Sequence, residues 1–332
     1  MKRLENDHGD VALSVIHVEG VTKYYTRKTA SSSRPAIDNI SFDVNDGEIV
    51  GFVGLNGAGK TTTIRIASGV ALPSSGTITV DGRDIVKEKA EASKRLGWVP
   101  EFPNFDQNAK AKNLLLYFAG FHGIEKNEAE KRADELFQRV SLTGSEGKKL
   151  RTYSQGMKKR FSLAAALLPD PKNFLFDEIL NGLDPEGIHF MRSLVVDLKK
   201  KEKAVLLSSH ILSEIENIAD RVVFIHKGKI IKIATREELA GIGSAGGVLK
   251  IVFQNLNDAA LGYLKGLGEV KLEGSDTVFL SAFSVDPTLI NTELVKRGFL
   301  IREFSFEKSS LEDYFFKLVG VTPEDSTRVV AK

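Results

Sequence analysis

Apolar positions along the chain follow two different periods. Near the start they read as strands. Val15, Ile16, Val18 and Val21 alternate loosely with polar neighbours, Ile37 to Val44 forms a second such stretch, and Ile49 to Val53 is a short unbroken apolar run after the turn Asn45-Asp46-Gly47. A short run bounded by turn signals predicts a parallel strand buried on both faces. Thr26 to Pro35 (TRKTASSSRP) is polar and turn-rich, so an exposed loop is expected there. From about Asn108 to Leu168 the period becomes helical, with Leu114, Leu115 and Phe118, then Leu136, Phe137 and Val140, on shared faces. Apolar strands return at Phe174–Phe176, Val205–Ser208 and Val222–Ile225. Strands alternating with helices predict a largely parallel α/β sheet, with the helical block at about 108–168 inserted into it.

The pattern changes again after Gly241–Gly247 (GIGSAGG), which has the composition of a flexible linker. Strand 248–253, helix 258–267, strands 269–273 and 277–282, helix 287–297 and strand 300–306 follow. That order is β-α-β-β-α-β, the ferredoxin-like, α+β pattern, closed by an amphipathic helix at Ser310–Val319. The expected division is a first domain over 1–240, a linker over 241–247, a small accessory domain over 248–320 and a tail over 321–332. The accessory domain carries no catalytic constellation. Two domains also suit the length of 332 residues.

Composition narrows the classes. Lys and Arg number 46 against 44 Asp and Glu, a balance that argues against a dedicated nucleic-acid binder. With no cysteine, disulfides, zinc–thiolate sites and Cys nucleophiles are excluded. The longest apolar candidate for a span, Phe161–Leu168 (FSLAAALL), is far short of the roughly 20 residues a membrane helix needs. No signal-peptide pattern is visible either.

The chemistry is concentrated in two places. Gly54-Leu-Asn56-Gly57-Ala-Gly59-Lys60-Thr61-Thr62 fits G-x-x-x-x-G-K-[ST] and sits between the predicted buried strand and a helix. Its glycines let several N–H groups point at one anion, Lys60 can bridge the outer phosphates of a nucleotide, and the Thr61 hydroxyl can ligate Mg²⁺. This loop alone fits a GTPase, a small-molecule kinase, a helicase or a transport ATPase. The second place is Phe174-Leu-Phe176-Asp177-Glu178, an apolar strand ending in two carboxylates. Asp177 can hold the Mg²⁺ shell, and Glu178 can orient and deprotonate an attacking water.

Tyr153-Ser154-Gln155-Gly156-Met157 precedes that strand at the head of a predicted helix. With this order of motifs the chain resembles the ATP-binding-cassette (ABC) ATPases, over roughly residues 14–240. Their signature reads Leu-Ser-Gly-Gly-Gln. Ser154 and Gly156 match it, while Tyr153, Gln155 and Met157 depart. Asn181-Gly-Leu-Asp184-Pro185 looks like the family's D-loop, and His210, after Ser208-Ser209, like its switch histidine. Glu101, in Trp98-Val-Pro-Glu101, stands at the Q-loop position, where the family usually has Gln. Tyr25 resembles the aromatic that stacks on adenine, with Tyr24 a close competitor. Ile179 stands where the family usually has Pro, and Asn173 is polar at the start of its strand. No departure removes a group that handles phosphate.

The resemblance implies a P-loop NTPase cassette that hydrolyses ATP with Mg²⁺ as an ABC transporter subunit. It implies a head-to-tail dimer, homomeric or heteromeric, in which Ser154, Gln155 and Gly156 act on the partner's nucleotide. It also implies integral membrane permease subunits as partners and a peripheral place on the cytoplasmic face of the membrane. The signature, the Pro-Glu pair and the ending Leu311-Glu-Asp-Tyr-Phe-Phe-Lys-Leu look like ATPases of ABC-2-type exporters. The alternative is a soluble cassette acting on DNA or ribosomes. The interval from Lys60 to Ser154 leaves no room for the coiled coil of DNA-repair cassettes, and the chain has one cassette core where translation factors have two. Phe102, Phe105, Tyr117, Phe118 and Phe121 read mainly as core of the helical insertion, though some are candidates for the groove that receives the family's membrane subunits.

Overall fold

The computed structural model describes residues 14–25, 34–239, 247–307 and 310–320. Most of the predicted loop at 26–35, the linker and the tail lie outside these residues. Contacts divide the chain into two compact units, Met1–Ala234 and Thr235–Lys332.

In the first unit, the unbroken apolar run becomes β3 (Ile49–Val53), with every residue buried. It is parallel to β8 (Ala204–Ser209) on one side and β9 (Arg221–His226) on the other. β7 (Asn173–Asp177) is parallel to β8 and to β6 (Leu96–Val99). With β10 (Lys229–Thr235) they form one sheet in the order β10-β9-β3-β8-β7-β6. Because β3, β8 and β7 are adjacent and parallel, their C-terminal ends emerge at one edge. Val53 pairs with Ser209, and Asp177 with Ser208. Ligands of open α/β sheets bind outside the carboxyl ends of the strands, which is where these residues stand.

The early strands do not join this sheet. β1 (Ser14–Lys23) and β2 (Ile37–Asn45) pair antiparallel and, with β4 (Ser75–Val80) and β5 (Arg83–Asp84), make a separate antiparallel sheet in the order β2-β1-β4-β5. A single core joins both sheets and α1 (Lys60–Ala67), with Val18, Ile40, Ile78, Ile64, Ile66, Phe52 and Val223 among its members. Phe42 and Phe52 stack across it at 5.2 Å. Burying side chains of this size contributes roughly 1.5–3 kcal/mol each, which fixes α1 and the loop ahead of it against the sheet.

The helical insertion comprises α3 (Ala111–Phe121), α4 (Lys126–Arg139) and α5 (Gln155–Leu167), after the short α2 (Lys89–Ser93). Phe161 is its anchor, fully buried with Phe105 edge-on at 5.0 Å. The expectation that the five aromatics are mainly core needs correction. Phe105 and Phe118 turn inward, but Phe102, Tyr117 and Phe121 are 78%, 63% and 68% exposed. Tyr117 and Phe121 lie at i and i+4 on the outer face of α3 and meet edge-on at 4.9 Å. After β7 come α6 (Pro185–Lys200) and α7 (Leu212–Ile218).

The second unit holds β11 (Val248–Phe253), α8 (Asp258–Lys265), β12 (Glu269–Glu273), β13 (Thr277–Ser281), α9 (Pro287–Lys296), β14 (Ile301–Glu307) and α10 (Leu311–Val319). Its strands are antiparallel in the order β12-β13-β11-β14. Leu249, Ile251 and Phe253 on alternate positions of β11 pack with Leu264 of α8 and Leu294 of α9 in a separate core.

Candidate functional site

The loop Gly54–Gly59 leaves β3 and turns into α1. Its backbone is dictated by glycine at two points. A Cβ at Gly54 would lie 2.3 Å from the Ile225 carbonyl oxygen, and Gly59 sits at φ +115°. Gly59 is also the N-cap of α1, and it offers no side-chain cap. The first N–H groups of the helix therefore stay available at its positive end, which suits an anion.

Lys60 folds back over the loop. Its Nζ donates to the Gly54 carbonyl at 2.6 Å and lies 3.1 Å from Glu178 Oε1. Both side chains are only 5% exposed, so each charge is compensated inside the protein. The Thr61 hydroxyl donates to Asp177 Oδ1 at 3.2 Å, and the Ser208 hydroxyl donates to the same oxygen at 2.8 Å. Burial pushes the Asp177 carboxyl above its ordinary range, while these two hydroxyls pull it back.

Glu178 is held from several sides. Its backbone lies at φ +49°, a left-handed conformation rare for a glutamate. Its N–H donates to the Ser208 carbonyl at 3.2 Å and lies 3.1 Å from the Ser208 hydroxyl. Oε2 accepts from Asn181 Nδ2 at 3.1 Å and from the His210 backbone N–H at 3.2 Å, and His210 Nδ1 stands 2.9 Å from it. From α5, Lys159 Nζ donates to the backbone carbonyls of Glu178 and Asn181. Burial lowers the pKa of this amine, and the Glu101 and Glu178 carboxylates raise it. Glu101 is pushed up by burial and by Glu178 and Asp177.

Lys60, Thr61, Glu101, Glu178, Asn181 and His210, with Ala36, Asn56, Gly57, Gly59 and Thr62, line one cleft of about 380 Å³, and Asp177 stands behind it, bonded to Thr61. Thr61 and Asp177 supply two hard oxygen donors. Among the described residues no cluster of three or more His, Asp or Glu could hold a metal. Two protein oxygens, with phosphate and water for the rest, is a donor set that fits Mg²⁺.

Other residues expected from the sequence stand elsewhere. Ser154 caps α5, its hydroxyl accepting from Met157 N–H at 3.2 Å, and Ser154 and Gln155 are exposed. Asp184 caps α6 by accepting from Gly187 N–H at 2.9 Å. Tyr24 and Tyr25 are exposed and do not line the cleft. The sequence assigns no role to three contributors. Ser208 and Asn181 lie within recognised stretches and Lys159 just after the signature, but only the fold brings them to Asp177 and Glu178.

The model of the ABC transporter family matches residues 37–181. The bacitracin transport ATP-binding protein BcrA of Bacillus licheniformis is 34% identical over 308 residues, covering 92% of this chain and 98% of that protein. A Nod factor export ATP-binding protein I of Paraburkholderia xenovorans is 32% identical over 313 residues, covering 94% of this chain and 99% of its own. Among solved structures, an ATP-binding subunit of an ABC transporter aligns with a TM-score of 0.63 at 28% identity, over 69% of this chain and 92% of that one.

Proposed function

This chain belongs to the ABC transporter ATP-binding proteins and is an ATPase, and from that premise we propose that it powers export through separate membrane subunits, with Glu178 activating the attacking water. The observation that carries the reading is the convergence of Lys60, Thr61, Asp177, Glu178 and His210 on one cleft at the ends of β3, β7 and β8.

The residues divide the work as follows. The N–H groups of the Gly54–Gly59 loop and the start of α1 cradle the phosphates, with Asn56, Gly57 and Thr62 at the cleft wall. Lys60 neutralises the outer phosphates. Bound Mg²⁺ would share Thr61 and Asp177 and draw charge from the phosphate oxygens. Glu178 takes the proton of the attacking water, with Asn181 and His210 orienting its carboxylate and His210 reaching the γ-phosphate. Glu101 contributes a carboxylate at the edge of the cleft. Tyr25 is assigned to adenine stacking by resemblance alone.

Ser154 and Gln155, exposed at the head of α5, and Gly156 beside them, with Asp184 at the head of α6, suit contact with a second ATPase subunit rather than with this chain's own cleft. ATP held between two such chains would close the pair, and loss of the γ-phosphate would reopen it. Phe102, Tyr117 and Phe121 support docking of a membrane subunit, since exposed aromatic groups mark interaction surfaces. No helix among the described residues is long and apolar enough to cross a membrane. A peripheral position on the cytoplasmic face of the membrane follows from that docking. A relative named for Nod factor export supports export as the direction. The β-α-β-β-α-β unit is assigned as a ferredoxin-like accessory domain.

The test is nucleotide binding and pull-down. Lys60→Ala should lower ATP affinity by at least about tenfold, the loss of one charge-assisted contact. The wild-type protein should co-purify with an integral membrane subunit from solubilised membranes. Undiminished ATP affinity would refute the loop assignment, and recovery of ribosomes or DNA in place of a membrane protein would refute the transporter assignment.

A further inference from the structure

We propose that Lys159 is a positioning residue of the ATPase site: it clamps both ends of the turn Glu178–Asn181 and so holds the Glu178 carboxylate in its working place. The inference rests on the reading of Glu178 as the group that activates water.

Lys159 is the fifth residue of α5 and is half-buried. Its Nζ donates to the Glu178 carbonyl at 3.3 Å and, more closely, to the Asn181 carbonyl. These carbonyls open and close a single turn, which is also tied by the Asn181 N–H donating to the Glu178 carbonyl at 3.2 Å. The carboxylate depends on that turn, because the Asn181 side chain donates to Oε2 at 3.1 Å. A shift of the Asn181 backbone therefore moves a ligand of the carboxylate.

The turn needs an outside holder for two reasons. Glu178 lies at φ +49°, and a non-glycine residue persists in such a conformation only when its surroundings over-determine it. Ser208 secures its N–H side through the carbonyl and the hydroxyl. Lys159 secures the carbonyl side. The second reason lies in the sequence. A proline at 179 would fix its own φ and so stiffen the turn, whereas Ile179 does not. The ammonium suits this task because it carries three donors on a flexible stem and can serve two carbonyls at once. It also lies in the field of the Glu101 and Glu178 carboxylates. Lys159 shares its helix with Ser154 and Gly156, so α5 ties its own head to the chain's own Glu178.

The experiment is steady-state ATPase of the purified full-length protein carrying Lys159→Met, Lys159→Arg, Glu178→Gln, or Glu178→Gln with Lys159→Met. Met keeps the length and packing of the stem and removes the donors. Lys159→Met should lower kcat by about 10- to 100-fold, the effect of misplacing a reacting group by about 1 Å. KM for ATP should stay within about twofold, since binding is not what the residue serves. Lys159→Arg should recover most of the rate. In the Glu178→Gln background, Lys159→Met should leave the residual rate unchanged within about twofold, as expected of two residues acting as one unit. Lys159→Gln, which keeps a donor without the charge, carries the same test should the Met variant not fold. A wild-type kcat in Lys159→Met would overturn the inference and leave the base assignment standing. So would a parallel loss of kcat/KM and melting temperature that Arg does not rescue, or an additive loss in the Glu178→Gln background. Normal turnover in Glu178→Gln alone would overturn the base assignment, and this inference with it.

Discussion

Tyr153 illustrates how one departure from a motif acquires a structural role. It stands where the signature of the family has Leu, and its ring is buried, edge-on to Phe161. Its hydroxyl donates to the Ser145 carbonyl at 2.8 Å. Burial, with the nearby Glu146 carboxylate, pushes the phenol up from 10.0 to about 12. The native state therefore holds this proton more tightly than the unfolded chain. The associated stability is intact below pH 10 and is lost as pH rises through about 12. In urea unfolding, wild type should lose stability more steeply than Tyr153→Phe between those two pH values. At neutral pH the variant should be less stable by about 1 kcal/mol, for the lost hydrogen bond. Parallel pH curves would contradict the assignment. At this scale, the residues legible in the sequence are those whose chemistry is written contiguously: Lys60 and Thr61 in one loop, Asp177 and Glu178 at one strand end. Ser208 and Lys159 were not legible, because a serine in a strand and a lysine on a helix are ordinary until β8 and α5 bring them to the carboxylates.

At the scale of elements, the N-terminus of α5 has one structural job and one proposed job, and substitution can separate them. Ser154 satisfies the Met157 N–H, and such a cap contributes about 1 kcal/mol. It is also assigned to the partner's phosphate. Aspartate caps as well as serine does but repels an anion. Ser154→Asp is therefore expected to keep the wild-type melting temperature and to lose ATPase activity by about 100-fold or more, the cost of a misplaced charge in a phosphate site. An active Ser154→Asp protein would show that Ser154 only caps. The buried runs of β3 and β7 were readable because short apolar stretches, Ile49–Val53 and Phe174–Phe176, leave few alternatives. β6 was not, since its four residues include Gly97, which reads as a breaker. The structure supplies the reason for that glycine: a Cβ there would lie 2.7 Å from the Ala166 carbonyl oxygen and 2.7 Å from the Phe174 ring. Alternation in β1 and β2 likewise indicated strands without indicating a second, antiparallel sheet. The stripe on α3 misled in the other direction, because periodicity cannot distinguish aromatics that fill a core from aromatics that await a partner.

At the scale of the molecule, the cleft gathers the groups proposed to bind phosphate and activate water, while Ser154 and Gln155 at the head of α5 are exposed and do not line it. Half of the expected machinery is thus presented outward. The central claim is that this cleft is completed by the signature of a second chain and that Glu178 drives the reopening by hydrolysis. Sedimentation of Glu178→Gln with and without ATP and Mg²⁺, alongside its turnover, tests this most directly. The account predicts a dimer that forms only with ATP and retains it unhydrolysed, with kcat lowered by about 10²- to 10⁴-fold, as expected for loss of a general base. A variant that turns over ATP at the wild-type rate, with a size indifferent to nucleotide, would contradict it.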